Sequence, residues 1–360
     1  MSNHYAVILA GGRGERFWPL STAKRPKQLL SLVGDKPLLS QAVDRLDGLV
    51  PRENIFVVTN AELVEPTCSA CPELLPENVI GEPVGRDTGP AVALSAALVK
   101  ARSENGVFCI LTADHVIGDV PLFQTTLREG LALAEREDVI LTIGIKPNFA
   151  ATGYGYVEAG EAHADKGGIS IHKTLRFVEK PDQETAEAYL KRGTFYWNSG
   201  MFIWSVKTLE QEFAKHCPEL LRLIEALTPT VGSPDFLPEL TRQFEGLQKI
   251  SIDYALMEKA DSILMAEGIF SWDDVGSWPA IENHFDKDPD GNVLVGSCEQ
   301  VDASNNIVVS QDHVTALIGV DNLVVVQAEG VTLICPKDQA QNVKQLVEKL
   351  RANSDYEKYL

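Results

Sequence analysis

A glycine-rich segment early in the chain has the composition of a phosphate-binding loop. Residues 11–14 read Gly-Gly-Arg-Gly and follow an apolar run, and Arg16 lies two residues further on. Glycine lets backbone N–H groups approach phosphate oxygens, and arginine adds charged hydrogen-bond donors. The spacing matches neither the G-x-G-x-x-G of dinucleotide-binding loops nor the G-x-x-x-x-G-K-[ST] of P-loops. A plain tight turn would need one glycine and no arginine, so the segment predicts a phosphate site.

A second cationic segment follows closely. Residues 24–28 read Lys-Arg-Pro-Lys-Gln, in a chain whose net charge is -19. A solvated charged face is one interpretation of these cations. The other is that they add to the phosphate site, because an acidic protein can bind an anionic ligand only through local positive charge.

Two acidic positions could bind a divalent cation. Asp114 follows the apolar run 108–112, and Asp274 lies in an acidic turn with Asp273. Two carboxylates can hold Mg²⁺ jointly with phosphate oxygens, because that ion takes few protein ligands. A turn or cap role for Asp114 and a solvated role for the acidic turn also stay open, and they are the commoner fates of such residues.

The order of these segments resembles that of a known enzyme family. Residues 9–21 and 24–28 look like the signature of mannose-1-phosphate guanylyltransferases of the short monofunctional form, within the sugar nucleotidyltransferase superfamily. Further segments resemble that family in its own order: 81–83, 85–90, 112–115, 152–156, 177–181, 197–202, 251–254 and 273–278. One position departs from it. Residues 86–90 read Arg-Asp-Thr-Gly-Pro where the family usually has Arg-Asn-Thr-Ala-Pro, so Asp87 replaces an amide with a carboxylate.

The resemblance implies a role for each motif residue. The implied catalytic residues are Arg16, Lys27, Asp114 and Asp274, of which Asp114 and Asp274 would hold Mg²⁺ or another divalent cation. The implied nucleotide-binding residues are Ala10, Gly11, Gly12, Arg13, Gly14, Glu82, Arg86, Asp87 and Thr88. The implied sugar-phosphate-binding residues are Gly153, Glu179, Lys180, Asn198 and Asp253. A helix N-cap is an equally good interpretation of Asp253.

Glu82 is the predicted partner of the base. A carboxylate there could accept hydrogen bonds from both N1–H and the 2-amino group of guanine. Adenine lacks both donors on that edge, so it would leave a buried acceptor unpaired.

The reaction that the resemblance implies is the transfer of a guanylyl group from GTP to mannose 1-phosphate, which yields GDP-mannose and diphosphate. A phosphate monoester has a second pKa near ~6, so the attacking oxygen is already an anion and needs no general base. Catalysis would then consist of positioning and electrostatic stabilisation. Two alternatives are a related transferase with another hexose 1-phosphate or nucleotide, and a nucleotide-sugar-binding sensor.

The elements that must position these residues follow an α/β pattern. Apolar runs at 6–9, 55–59, 79–80, 108–112 and 139–144 predict strands, and 38–46, 90–102 and 121–137 predict helices between them. This alternation is typical of a Rossmann-like, mostly parallel sheet with helices on both faces, whose ligands lie beyond the carboxyl ends of the strands. We predict a catalytic domain over 1–285, with a nucleotide half to about 145 and a sugar-binding lobe over 146–285.

The C-terminal part has a different pattern. Short apolar runs at 293–295, 307–309, 314–318, 323–326 and 331–334 follow a turn-rich boundary, and 338–352 predicts a helix. We therefore predict a small β domain over 286–360 with a terminal helix, and a short left-handed β-helix is one form that this domain could take. Such a β segment often pairs with a second copy, so we expect a homodimer through this region.

Composition limits the partners and the compartment. Acidic residues outnumber basic ones by 51 to 32, which disfavours binding to nucleic acid or to an anionic membrane. We find no secretory leader and no transmembrane segment in the sequence, and the six cysteines are mostly scattered. These features favour reduced thiols in the cytoplasm.

Overall fold

The computed structural model describes residues 3–360, which form two separate sheets, a short ribbon and the helices that cover them. The strands are β1 (His4–Leu9), β2 (Ile55–Asn60), β3 (Val79–Glu82), β4 (Val107–Thr112), β5 (Val116–Ile117), β6 (Ile140–Ile145), β7 (Tyr156–Lys166), β8 (Ile169–Val178), β9 (Phe195–Ser205), β10 (Ile263–Gly268), β11 (Trp272–Asp273), β12 (Val293–Val301), β13 (Ile307–Ile318), β14 (Leu323–Ala328) and β15 (Val331–Pro336). The α-helices are α1 (Leu38–Asp44), α2 (Val64–Ala70), α3 (Thr88–Arg102), α4 (Val120–Ala134), α5 (Gln183–Arg192), α6 (Val206–His216), α7 (Pro218–Leu227), α8 (Phe236–Gly246) and α9 (Val343–Arg351).

The large sheet has nine strands in the order β3-β2-β1-β4-β9-β6-β10-β8-β7. The pairs β3–β2, β2–β1, β1–β4 and β6–β10 are parallel, whereas β9 is antiparallel to β4 and β6, and β8 is antiparallel to β10 and β7. Only β8 and β9 therefore run against the other seven. The predicted α/β class with a mostly parallel sheet is confirmed.

Helices cover both faces of this sheet because its strands are apolar on both sides. Along β1, Ala6 and Ile8 pack into the core that contains α1 and α4, and Tyr5 and Val7 pack into the core that contains α3 and α7. Successive side chains of a strand point to opposite faces, so a central strand needs apolar residues at every position. Helix α3 is buried over most of its length because it lies between the sheet and α7.

The second sheet, β12-β13-β14-β15, forms the C-terminal part. Strands β12, β13 and β14 are parallel and stack with Val293, Ile307 and Val324 in register, while β15 turns back antiparallel to β14. A buried asparagine ladder supports the stack: Nδ2 of Asn306 donates to Oδ1 of Asn292 at 3.0 Å, and the amide of Leu323 donates to Oδ1 of Asn306 at 2.9 Å. Parallel strands stacked in this way are typical of a β-helix.

The C-terminal part and the N-terminal loop share one hydrophobic core. Phe17 and Trp18 from the loop pack with Trp278, with strand residues such as Val309, and with Val347 of α9. The predicted boundary at 285 lies after the 3-10 helix Trp278–Asn283 and before β12. Among the described residues, no helix is long and apolar enough to span a bilayer.

Candidate active site

The glycine-rich segment forms a loop at the carboxyl end of β1. Gly14 has φ 62°, and a Cβ atom there would lie 2.3 Å from Cβ of Lys27 and 2.9 Å from its backbone nitrogen. Only glycine fits both the backbone angle and the space. The Ala10 carbonyl accepts from Nε2 of Gln28 at 2.7 Å, so both cationic segments are fixed to the same turn.

Lys27 lies at the centre of the site. Its Nζ donates to Oδ2 of Asp114 at 2.9 Å and to the backbone carbonyl of Asp274 at 2.6 Å. The side chain is buried, and Nζ also lies 5.7 Å from the centroid of the Phe17 ring. One ammonium group thus connects the two acidic positions that the sequence predicts for the metal.

A short ribbon brings those two positions together. β5 pairs with β11 in antiparallel register, with Val116 opposite Asp273, so Asp114 and Asp274 lie just outside the same pair of strands. Asp273 is turned away from the cavity, because its carboxylate accepts from His284 at 3.0 Å, from Asn283 at 2.9 Å and from the amide of Val275 at 2.7 Å. Asp274 is the member of the acidic turn that faces the site.

Each of the two carboxylates accepts a hydrogen bond from one side chain of the site. Oδ1 of Asp274 accepts from the Tyr154 hydroxyl at 2.8 Å, and Oδ2 of Asp114 accepts from Lys27. Burial alone would raise the pKa of Asp114, but the charge and hydrogen bond of Lys27 oppose it, so the pKa lies below its usual range and the group stays ionised. Oδ1 of Asp114 lies 3.9 Å from Nε2 of His115. This donor set fits a Mg²⁺ ion, which needs one or two carboxylates and completes its shell with phosphate and water.

Tyr154, Trp272 and His115 complete the wall behind the carboxylates. The Trp272 indole N–H donates to Nδ1 of His115 at 3.1 Å, and the Tyr154 and Trp272 rings lie edge to face with centroids 5.4 Å apart. Burial lowers the pKa of His115, so the imidazole is neutral at physiological pH. Burial and Asp274 raise the pKa of the Tyr154 hydroxyl, which therefore stays a donor. The sequence favours a wall or core role for Tyr154, since nothing in it signals the bond to Asp274.

A cavity of about 1070 Å³ opens at the carboxyl ends of β1, β2, β3 and β4. Its lining includes the predicted site residues Gly11, Gly12, Arg13, Glu82, Asp87, Thr88, Asp114, Gly153, Glu179, Lys180, Asn198, Asp253 and Asp274. This cavity brings most of the predicted nucleotide and sugar residues together, at the sheet edge where the α/β pattern placed them.

Glu82 ends β3 and is almost completely buried in the cavity wall. Its Oε1 has no hydrogen-bond partner among the described residues. Burial, with a smaller contribution from Asp87, raises the pKa of Glu82 to about 8. A buried carboxyl that lines a cavity and lacks a full set of hydrogen-bond partners is a candidate for binding a ligand with N–H donors.

Asp87 occupies an unusual backbone conformation at the start of α3. It has φ 71° and ψ -176°, and its carboxylate accepts from the amide of Thr88 at 2.8 Å. The Thr88 hydroxyl in turn accepts from the amide of Ile252 at 2.9 Å. Glycine at position 89 fits the same turn, because a Cβ atom there would lie 2.8 Å from the Ile250 carbonyl oxygen.

The structure does not bring Arg86 to the cavity. Its guanidinium donates to the carbonyl oxygens of Phe244 at 3.0 Å and Glu245 at 2.9 Å, near the end of α8. Arg86 therefore holds a helix end against the loop 85–88, and its predicted contact with the nucleotide stays a prediction. Ala10 is buried in the core, and its predicted contact with the nucleotide also stays a prediction.

The sugar-side residues form a hydrogen-bonded group in the other half of the cavity. Nδ2 of Asn198 donates to Oδ1 of Asp253 at 3.2 Å, and Nζ of Lys180 donates to Oε1 of Glu179 at 2.5 Å. Asp253 begins a π-helix, Asp253–Met257, and its side chain faces the cavity instead of capping that helix. Burial, then Glu179, raises the pKa of Asp253 to about 6. Polar side chains of both donor and acceptor type suit the hydroxyls of a hexose.

Gly155 is a site residue that the sequence motifs do not single out. A Cβ atom there would lie 2.7 Å from Oε2 of Glu179, and its carbonyl accepts from the amide of Asn198 at 2.8 Å. Any larger residue would push Glu179 out of place. The sequence motif at 152–156 contains this glycine. The motif does not show why glycine is needed there, because Glu179, the residue that would clash, follows β8.

Comparison with known proteins is consistent with this site. The family model "Nucleotidyl transferase" matches residues 5–291, and the model "MannoseP isomerase/GMP-like beta-helix domain" matches residues 296–350. The chain is 38% identical to a mannose-1-phosphate guanylyltransferase of Klebsiella pneumoniae, over 98% of this chain and 75% of that protein. It is 36% identical to the enzyme of that name from Escherichia coli (strain K12), over 99% of this chain and 75% of that one.

A solved structure agrees with these relatives. The crystal structure of a protein described as mannose-1-phosphate geranyltransferase, from Thermus thermophilus, superposes with a TM-score of 0.86 at 34% identity. The match covers 97% of this chain and 100% of that one, so it includes both the large sheet and the C-terminal stack. The chain belongs to the mannose-1-phosphate guanylyltransferase family of nucleotidyl transferases.

Proposed function

We propose that this enzyme transfers the guanylyl group of GTP to mannose 1-phosphate and releases diphosphate. The observation that carries the proposal is the position of Lys27, whose Nζ donates to both Asp114 and the backbone of Asp274. Those two acidic residues line the cavity that also contains Glu82 and Asp253. Nucleotide and sugar-phosphate residues therefore converge on one cationic and acidic centre. The relatives named above support this choice of substrates.

The reaction suits the groups at this centre. An oxygen of mannose 1-phosphate attacks the α-phosphorus in line, and the bond from that phosphorus to the diphosphate breaks. The attacking oxygen is already anionic, so the site needs no general base. Arg13, Arg16 and Lys27 would hold the phosphate oxygens and reduce the repulsion between the two anions. Asp114 and Asp274 would hold a divalent cation, which neutralises phosphate charge when bound.

Substrate discrimination can be measured directly. Diphosphate release from GTP should require mannose 1-phosphate, and ATP, UTP or glucose 1-phosphate should each support a much lower kcat/KM. Turnover with ATP at the rate seen with GTP would contradict the proposed role of Glu82. No release with any nucleotide and mannose 1-phosphate together would contradict the proposed function itself.

The metal assignment has a matched control within the acidic turn. Asp274→Asn removes a carboxylate that faces the site, so kcat should fall about 100-fold or more with Mg²⁺ present. Asp273→Asn makes the same charge change one residue away, where the carboxylate contacts only His284, Asn283 and the backbone. It should keep kcat within a few-fold while the melting temperature falls. Equal losses of kcat in both variants would contradict the assignment.

The C-terminal stack is the proposed dimer interface. Four apolar side chains on it are more than half exposed: Val301 at 58%, Val314 at 68%, Ile318 at 75% and Ile334 at 62%. Val301 and Ile318 are neighbours in the register of β12 and β13, so they form one patch. Burial of this patch against a second copy would remove apolar surface from water.

All six cysteines are free thiols, which supports the cytoplasm as the proposed compartment.

A further inference from the structure

A second, smaller cavity opens on the other side of the two carboxylates. It has a volume of about 260 Å³ and shares Arg13, Asp114, His115 and Asp274 with the large cavity. The shared residues make the acidic centre a common wall. A leaving group that departs from the acidic centre could therefore enter the small cavity instead of the sugar-binding half of the large one.

The cations of the small cavity come from three separate parts of the chain. Arg16 belongs to the glycine-rich loop, Lys27 to the following segment, and Lys344 to α9 of the C-terminal part. None of these three lines the large cavity. Lys344 makes no hydrogen bond or ion pair within the described chain, and the Arg16 guanidinium donates only to the Gly276 carbonyl, at 3.1 Å. Both cations are thus free to bind an anion.

Contacts on both sides of Lys344 hold α9 over this cavity. Val343 and Val347 are buried in the core that contains Phe17. Just before α9, Nε2 of Gln341 donates to the Ser277 hydroxyl at 3.2 Å, beside the Asp274 turn. At the end of α9, the Arg351 guanidinium donates to Oε1 of Glu15 at 2.8 Å, in the glycine-rich loop. Lys344 therefore lies between the two segments that form the reacting centre.

We propose that the small cavity receives the diphosphate leaving group and that Lys344 binds it, so that the C-terminal part supplies a substrate-binding residue to the active site. This inference rests on the proposed function. When the attacking oxygen bonds to the α-phosphorus, the electron pair of the breaking P–O bond stays on the diphosphate. Negative charge thus grows on the side where Arg16, Lys27 and Lys344 lie, and cations placed there stabilise it.

Titration with inorganic diphosphate and MgCl₂ tests the proposal without any turnover. Loss of one charged hydrogen bond at a solvent-accessible site should weaken diphosphate binding by Lys344→Ala about tenfold. Lys344→Arg should restore most of the affinity. Lys349→Ala is the matched control, because Lys349 lies on the same helix and lines neither cavity. It should bind diphosphate like the unsubstituted enzyme.

Kinetics of the reverse reaction add a second readout. Lys344→Ala should raise the KM for diphosphate and leave the KM for GDP-mannose unchanged, with no change in melting temperature. Equal diphosphate affinity in Lys344→Ala and Lys349→Ala, or no diphosphate binding by the unsubstituted enzyme, would overturn the inference. Normal diphosphate binding without synthesis of GDP-mannose would instead refute the proposed function and leave this subsite in place.

Discussion

At the residue scale, Glu82 has the most informative protonation state. Its pKa is raised to about 8, so most of the carboxyl is neutral at pH 6 and most is ionised at pH 9. Guanine presents two N–H donors and needs the ionised form. We therefore expect the KM for GTP to fall as pH rises from 6 towards 8, by up to about tenfold per pH unit. Steady-state kinetics over this range, at saturating mannose 1-phosphate, measures the effect.

Glu82→Gln is the control for that pH profile. The amide does not titrate, so the dependence that remains belongs to GTP and to other groups. The raised pKa of Glu82 in the folded protein also affects stability. As pH rises from about 4.5 to 8, the unfolded chain loses this proton before the folded protein does, so the free energy of unfolding decreases. Glu82→Gln should then raise the melting temperature more at pH 8 than at pH 5. Parallel pH profiles of the KM in both proteins would contradict the role of Glu82.

Asp87 contributes to the raised pKa of Glu82, and substitution of Asp87 gives a separate prediction. The Asp87 carboxylate raises the pKa of Glu82 by repulsion, and an amide would not. Asp87→Asn restores the residue usual in the family and keeps an oxygen that can accept from the Thr88 amide. The pH midpoint for GTP binding should move to lower pH while the melting temperature changes little. An unchanged midpoint would show that burial alone sets the pKa of Glu82.

The sequence predicted well which residues lie together where one motif supplies both the residue and its backbone. Lys27, Asp114 and Asp274 converge as expected, and the cavity contains Glu82 and Asp253. Residues whose partners lie on a distant segment were harder to interpret. Arg86 has the type of a phosphate ligand, but two carbonyl groups near the end of α8 already accept from it. Lys344 is one of many surface lysines until the fold places it beside the glycine-rich loop.

At the element scale, the glycine-rich loop depends on one backbone conformation. Gly14→Ala would place a Cβ atom 2.3 Å from that of Lys27 in a left-handed conformation, so Lys27 or the loop must move. We expect a loss of about 2–4 kcal/mol in the free energy of unfolding, from strain and overpacking together. Chemical denaturation measures it. Gly12→Ala is the stability control, because a Cβ atom at Gly12 meets nothing within 4 Å. Equal stability of the two variants would contradict this role for Gly14.

The sequence predicts the bounds of helices and strands closely where apolar residues recur with a single period. It predicts them poorly where buried and exposed residues alternate irregularly. The predicted helix at 90–102 ends at the last residue of α3, and four of the early strands end within about one residue of their predicted positions. The fifth, β3, runs on from 79–80 to Glu82, and α7 and α8 were not predicted. Strands β7 and β8 alternate buried and exposed residues irregularly, because bulges interrupt their register. A bulge shifts the side-chain alternation, so no period of two survives in the sequence.

At the scale of the whole molecule, the proposed dimer can be tested with one charge. Ile318→Lys places a charge on the exposed patch of the C-terminal stack and should convert a dimer to a monomer at micromolar concentration. Light scattering after size exclusion gives the mass. Leu237→Lys is the control, because Leu237 is 64% exposed on α8, outside the C-terminal stack. A monomeric mass for the unsubstituted chain would rule out the dimer.

The core shared by Phe17, Trp278 and α9 has a practical consequence for heat resistance. The glycine-rich loop and the C-terminal stack cannot melt independently, because each would expose the apolar side of the other. Thermal inactivation should therefore coincide with a single calorimetric transition. Engineering for a longer working life at high temperature would best begin in the asparagine ladder and α9, far along the sequence from the residues that perform the chemistry.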